Sequence, residues 1–355
     1  MRLPATALAA LLSFGLPAVA DTPRVAADIA PIQSLVAQVM DGVGEVDVIV
    51  RPGMSPHGYA MRPSEARALD QADLVIWMGP ELTSWLDEAI ETLADDAVVL
   101  TLMDNPETIT LASRKGARFE THEHGHDSHD AQDDHAHDDH DDHGHEEHGH
   151  DDYDDHGHDE HDDHAHGGHD HDDHGHEEAH AHDGADPHAW LDPQNADRWL
   201  GLIAAELAQL DPDNAEAYKA NAQQARSDLA ALSADITAQL APLGDRPFLV
   251  FHDAYQYFEA RFGVTAAGAI SISDASDPGP ARLAELRALV EEENIVCAFA
   301  EPQFNTTILD TVFPDTLRIG TLDPQGLAHP AGAGLYSALL RDMADAMVEC
   351  LSPKG

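Results

Sequence analysis

The chain has 355 residues, 67 of them acidic and 18 basic, for a formal charge of −49 with histidine neutral. So anionic a chain has no electrostatic basis for holding nucleic acid, and no such partner is expected. The charge is uneven: residues 122–182 hold 24 acidic side chains, 22 of the 26 histidines and no Lys or Arg, and without that tract and a 20-residue leader 274 residues remain, enough for one large domain or two ordinary ones.

Residues 1–20, MRLPATALAALLSFGLPAVA, combine one positive charge at Arg2, an apolar run and small residues Ala18 and Ala20. That is the layout of a secretory signal peptide, so the mature protein is expected to be exported. No later stretch has the roughly 20 continuous apolar residues a membrane span needs. Next, RVAADIAPIQSLVAQVM predicts a short strand running into a helix capped near Asp28 and entered through Pro31. A second strand is expected at 45–50, then a turn-rich segment and a helix capped by Ser64. Apolar runs at 72–79 and 97–102 flank the helical LTSWLDEAIETL. This alternation predicts a parallel sheet covered by helices.

The tract 122–182 repeats units such as D-D-H-G-H with almost nothing apolar, and is expected to be a disordered surface loop inserted in the first lobe. Past it, a helix follows DPHAWLDP, and a second helical stretch continues without proline until Pro242. About thirty residues at about 1.5 Å each make a rod near 45 Å, a candidate connector. A second alternating block comprises PFLVFHDAY, a helix at 281–293, NIVCAFAEP and TLRIGTLDP. The expected fold is therefore α/β, with two similar lobes of parallel-rich sheets covered by helices and joined by one long rigid helix. Its boundaries are the leader at 1–20, a first lobe at 21–210 containing the loop, a linker helix at 211–242 and a second lobe at 243–355.

Four histidines lie outside the tract: His57, His188, His252 and His329. His57 sits in the turn after the second strand, and His252 and Asp323 follow strands of the second block. In open α/β sheets ligands bind beyond the carboxyl ends of strands, so these side chains can converge. His188 lies between Pro187 and a helix starting near Pro193. Three imidazoles and one carboxylate suit tetrahedral Zn²⁺, whereas an all-oxygen set favours Ca²⁺, Mg²⁺ or Mn²⁺. A site between two lobes also permits release by hinge opening, as a carrier requires. Each residue has a plainer reading. A histidine at a strand end can be a surface or hydrogen-bonded residue, and Asp-Pro pairs such as Asp323-Pro324 and Asp192-Pro193 start turns. Glu301 is a candidate partner behind a ligand or an ordinary strand-end carboxylate. Trp190, Tyr255 and Tyr257 are assigned to packing, and His329 to an exposed loop. Cys297 and Cys350, the only cysteines, suggest a disulfide in an oxidising compartment, with two buried free thiols as the alternative.

The segments GMSPHGYAMRPSEA, ADLVIWMGPELTSWLDEAI, DPHAWLDPQNA, FHDAYQYFEARFGV, CAFAEPQFN and IGTLDPQG resemble, in this order, the metal-binding receptors that feed ABC importers, and within them the ZnuA-type periplasmic zinc receptors. The resemblance covers nearly the whole mature chain. It implies metal ligands at His57, His188 and His252, with His252 standing where manganese-binding relatives carry a carboxylate. It implies Asp323 or water as the fourth ligand. Some zinc members carry Glu before the first histidine, where this chain has Pro56. It further implies a Cys297–Cys350 pair, limited lobe closure, and a membrane permease with its cytoplasmic ATPase as partners. The chain is expected to be periplasmic and monomeric, a periplasmic metallochaperone is admitted as a further partner, and no catalytic residues are expected.

The acidic, histidine-rich loop is expected to offer several weak, exchangeable Zn²⁺ sites beside the single tight one, most effective above about pH 7, where imidazole is neutral. The alternative is a solvating spacer. Two other functions stay open: a secreted zinc hydrolase, although no H-E-x-x-H helix is present, and a zinc storage or adhesion protein.

Overall fold

The first strand, β1 (Val25–Ala27), is buried along its length and pairs in parallel with β2 (Val46–Val48) on one side and β3 (Leu74–Trp77) on the other. A strand covered on both faces must be apolar throughout, which is why LVIW and the neighbouring runs read as continuous hydrophobic segments. With β4 (Val98–Thr101) the sheet has the order β2-β1-β3-β4. Helices α1 (Ala30–Val39), α2 (Pro63–Asp70) and α3 (Pro80–Leu93) make the crossovers. This computed structural model describes residues 22–114, 116, 118–119, 184–271, 279–304, 309, 312–313 and 317–353; the leader and the histidine-rich tract lie outside the described residues.

The chain then forms α4 (Pro193–Leu210) and α5 (Ala215–Leu240), and a second all-parallel sheet of order β6-β5-β7-β8. Its strands are β5 (Phe248–Val250), β6 (Ala266–Ala269), β7 (Cys297–Ala300) and β8 (Arg318–Thr321), with α6 (Gln256–Phe262), α7 (Pro280–Glu292) and a final α8 (Leu335–Leu351). The two sheets repeat one winding, each beginning in the middle, stepping to one edge and returning past the start. The 26 residues of α5 give a rod of about 39 Å. It is not a bare spacer: Tyr218, Ala222, Ala225, Leu229, Leu232, Ile236 and Leu240 are buried along one face. One continuous core joins these residues to α1, α4, α8 and the inner faces of both sheets. Smaller cores lie beneath α2 and α3 and beneath α7. A shared core of this extent ties the two sheets together more firmly than a single linking helix would. Among the described residues no helix is long and apolar enough to cross a membrane.

Two caps differ from the sequence expectation. Helix α1 starts at Ile29 without a side-chain cap, because the Asp28 carboxylate accepts instead from the backbone N–H groups of Ile29 (2.8 Å) and Met78 (2.7 Å). Asp28 thereby pins β1 to β3, and its burial pushes its pKa up to about 7 against those two hydrogen bonds. At α2 the capping side chain is Glu65, not Ser64: the backbone N–H of Arg62 donates to it at 2.7 Å. Helix α6 and strand β6 were not expected from the sequence. The AAGA run of β6 has weak strand propensity and becomes a strand through its register against β5. Seven-residue α6 ends at Gly263 in the left-handed region. Cys297 in β7 is bonded to Cys350 in α8, with Cα atoms 5.9 Å apart. The neighbouring Gly320 leaves room for this docking: a Cβ there would lie 2.7 Å from the Phe299 ring.

Candidate metal centre

His57 is carried by the turn after β2. The indole N–H of Trp85 donates to the Pro56 carbonyl at 2.7 Å, fixing that turn against α3. Behind it Tyr59 packs on Trp85 and accepts from Arg51 (2.9 Å) while donating to the buried carboxylate of Glu65 (2.8 Å). His188 comes from the short turn ahead of α4. The carboxylate of Asp186 accepts from the His188 backbone N–H at 2.9 Å and lies 2.8 Å from its Nδ1. Burial raises the Asp186 pKa to about 6, in opposition to the His188 N–H and the Gln256 amide that donate to it. His252 stands two residues past β5, with Nδ1 2.5 Å from Glu301 at the end of β7. The second oxygen of Glu301 accepts from Gln303 at 2.7 Å.

Each carboxylate that faces Nδ1 selects the tautomer with its proton there, which leaves Nε2 as the donor atom for a cation. The ligand atoms of His57, His188 and His252 lie within 4.8 Å of one another, and among the described residues this is the only such group. The Nε2 atoms of His57 and His188 are 3.4 Å apart. Two ligands held at about 2.05 Å on a tetrahedral ion are separated by about 3.3 to 3.4 Å, so this spacing is the edge of a zinc tetrahedron. His188 and His252 are buried and His57 is partly exposed, so the triad opens on one side.

Asp323 is outside that group. Its carboxylate accepts from the backbone N–H groups of Gln325 (3.1 Å), Gly326 (2.9 Å) and Ala328 (3.3 Å), which shape the loop after β8. His329 pairs with Asp342 at 2.6 Å on the exposed side of that loop. The aromatic residues assigned to packing also frame the site. Trp190 packs against His188 with the rings tilted and their centroids 5.2 Å apart, and its indole donates to the Pro324 carbonyl at 2.8 Å. The Tyr257 hydroxyl donates to the Asp186 carbonyl and accepts from the Leu111 N–H. Tyr255 lies against His252 at 6.3 Å between centroids. Burial first, then the charge of Glu301 and a hydrogen bond to it, and last the charge of Asp323, hold its phenol well above the usual pKa. The sequence offered one unused signal, the carboxylate of Asp186 two residues ahead of His188.

Replacing Glu301 by Gln keeps the shape and removes the charge behind His252. Zinc affinity is expected to fall about 10- to 100-fold with little change in the melting temperature of the zinc-free protein, as read by chelator competition and calorimetry. Unchanged affinity would mean that this contact does not tune the imidazole.

The family described as ZnuA, the periplasmic zinc-uptake complex component A, matches residues 25–350. The high-affinity zinc uptake system protein ZnuA of Paracoccus denitrificans is 46% identical over 345 residues, covering 97% of this chain and 96% of that one. Its counterpart in Brucella suis is 41% identical over 329 residues, 92% and 91% of the two chains. A crystal structure of ZnuA aligns with a TM-score of 0.67 over 94% of this chain and 100% of that chain, at 20% identity, which speaks for the shared two-lobed fold.

Proposed function

The chain belongs to the ZnuA family of periplasmic zinc-uptake components, and on that premise we propose that it captures Zn²⁺ at His57, His188 and His252 and hands it to the membrane permease of an ABC importer. The observation that carries the ligand assignment is the 3.4 Å separation of two Nε2 atoms whose rings belong to residues 131 positions apart. In this family the protein is a solute receptor and not an enzyme, which sets aside the hydrolase reading; the storage and adhesion reading is not favoured either. Cytoplasmic ATP hydrolysis is coupled to the receptor only through the permease.

The fourth position falls to an oxygen, either the Asp323 carboxylate or water. In this reading the leader at 1–20 is removed on export to the periplasm, and lobes at 21–210 and 243–355 are linked by 211–242. The receptor works as a monomer, alone or supplied by a metallochaperone. The tract 122–182 holds several weak, exchangeable Zn²⁺ sites that concentrate metal for the tight one. Its acidic background attracts the cation but raises imidazole pKa values, so the collecting role strengthens as pH rises through the histidine range.

Titration with Zn²⁺ before and after deletion of 122–182 tests both levels. The parent chain is expected to bind one ion tightly and several weakly, and the deleted chain to keep only the tight one. Loss of the tight ion on deletion would remove the triad from its role. Identical stoichiometry and identical transfer to the reconstituted permease would remove the collector.

A further inference from the structure

The two carboxylates behind the imidazoles are held in the same way. Glu301 turns one oxygen to His252 Nδ1 and accepts from the Gln303 amide on the other. Asp186 turns one oxygen to His188 Nδ1 and accepts from the Gln256 amide on the other at 3.2 Å. They differ in where the amide comes from. Gln303 lies two residues beyond Glu301, whereas Gln256 is 70 positions from Asp186 and opens α6, shortly after His252. The same amide nitrogen also donates to the Ala112 carbonyl at 2.9 Å. Both partners are acceptors, so only the NH₂ end of Gln256 can serve them, with one hydrogen for each. The backbone of Asp186 is fixed separately: its N–H donates to the Leu111 carbonyl at 2.8 Å, and its carbonyl accepts from the Tyr257 hydroxyl at 2.8 Å. What that leaves soft is rotation of the carboxylate about Cβ–Cγ. A donor on the second oxygen sets that plane.

We propose that Gln256 is a positioning residue that couples two of the zinc ligands: from the helix that follows His252 it sets the plane of the carboxylate behind His188, so that the two imidazoles meet the ion as one unit. The carboxylate plane aims the acceptor lone pair at Nδ1, and through it the direction in which the ring presents Nε2. A metal site tolerates an error of only about half an ångström in such placements. His188 precedes α4 and His252 follows β5, so a shift of α6 that carries His252 also moves the amide bonded to Asp186. The inference rests on the receptor reading above and adds a side chain from outside the ligand set to those that fix zinc affinity.

The test uses the full chain with Gln256→Met, which keeps the length and removes the donor, and with Gln256→Glu, which sets one carboxylate against another. Three quantities are read: Zn²⁺ affinity by chelator competition, the visible spectrum of the Co²⁺ complex, which reports coordination geometry, and the melting temperature of the zinc-free protein. Gln256→Met is expected to weaken Zn²⁺ binding about tenfold and to shift the Co²⁺ bands. Gln256→Glu should lose more, although a negative charge at the first position of α6 favours the helix itself. In an Asp186→Ala background Gln256→Met should cost nothing further, because its effect passes through that carboxylate. Parental affinity together with parental Co²⁺ bands in Gln256→Met overturns the proposal. So does an undiminished loss in the Asp186→Ala background, and so does a lowered zinc-free melting temperature with unshifted bands, the mark of a contact that only holds the fold. Failure of the unsubstituted chain to hold one tight Zn²⁺ would instead strike the receptor reading, so the two failures are separable.

Discussion

Replacing His252 with alanine is expected to lower Zn²⁺ affinity by more than about 100-fold, a larger loss than removal of any partner behind a ligand. The reason is where the donors come from. His57 and His188 are contributed by the turn after β2 and by the segment leading into α4, whereas His252 follows β5 of the second sheet. Without it the ion keeps two nitrogens and loses the imidazole that the second lobe contributes. The buried Glu301 also loses the imidazole that it faces at 2.5 Å. A ligand that binds only the folded state stabilises it by mass action, and a hundredfold loss of affinity takes away about 2.7 kcal/mol of that effect at fixed zinc. Calorimetry with and without saturating Zn²⁺ measures both quantities. Tight stoichiometric binding by the variant would remove His252 from the site.

The largest effect on folding itself is expected at Arg114. Its guanidinium reaches two carboxylates at once: it forms a two-pronged pair with Asp253 and donates to both oxygens of Glu259 at 2.9 Å. It also lies 3.8 Å above the centre of the Phe119 ring. All three charged side chains are at most 16% exposed. Desolvation works against the charge on Arg114, but Glu259 and then Asp253 more than offset it, so its pKa is raised. Removing the cation would leave two buried carboxylates uncompensated, which costs about 3 to 5 kcal/mol. Arg114→Ala should therefore lower the denaturant midpoint sharply without changing the slope, and Arg114→Lys, which keeps the charge but loses the fork, should fall between. A loss below about 1 kcal/mol, the scale of an exposed pair, would mean that solvent reaches the cluster.

Arg114 also shows a kind of information that local pattern lacks. Residues 111–119 read only as the approach to the histidine-rich tract. In the fold residues 111–114 lie along α6, and farther on the Phe119 N–H donates to the Ala267 carbonyl of β6 at 2.9 Å and Arg118 pairs with Glu292 of α7 at 2.5 Å. Nothing in the spacing of these residues points to partners 139 to 174 positions away. Strand β6 was missed for a related reason, since AAGA is a strand only because β5 lies beside it.

By contrast, the alternation of strands and helices was legible, because parallel strands buried on both faces need unbroken apolar runs whatever surrounds them. The cysteine pair could be named for a similar reason: two cysteines in an exported chain leave few choices. His57, His188 and His252 stood out because few histidines lie outside the tract and because strand ends are where open α/β sheets bind ligands. The sequence could thus name the fold class and the three imidazoles. It could not say that Asp186 backs one ring and Glu301 another, or that two Nε2 atoms stand 3.4 Å apart. Periodicity and propensity act over a few residues, whereas a metal site is set to within about half an ångström by groups that only the packed core brings together.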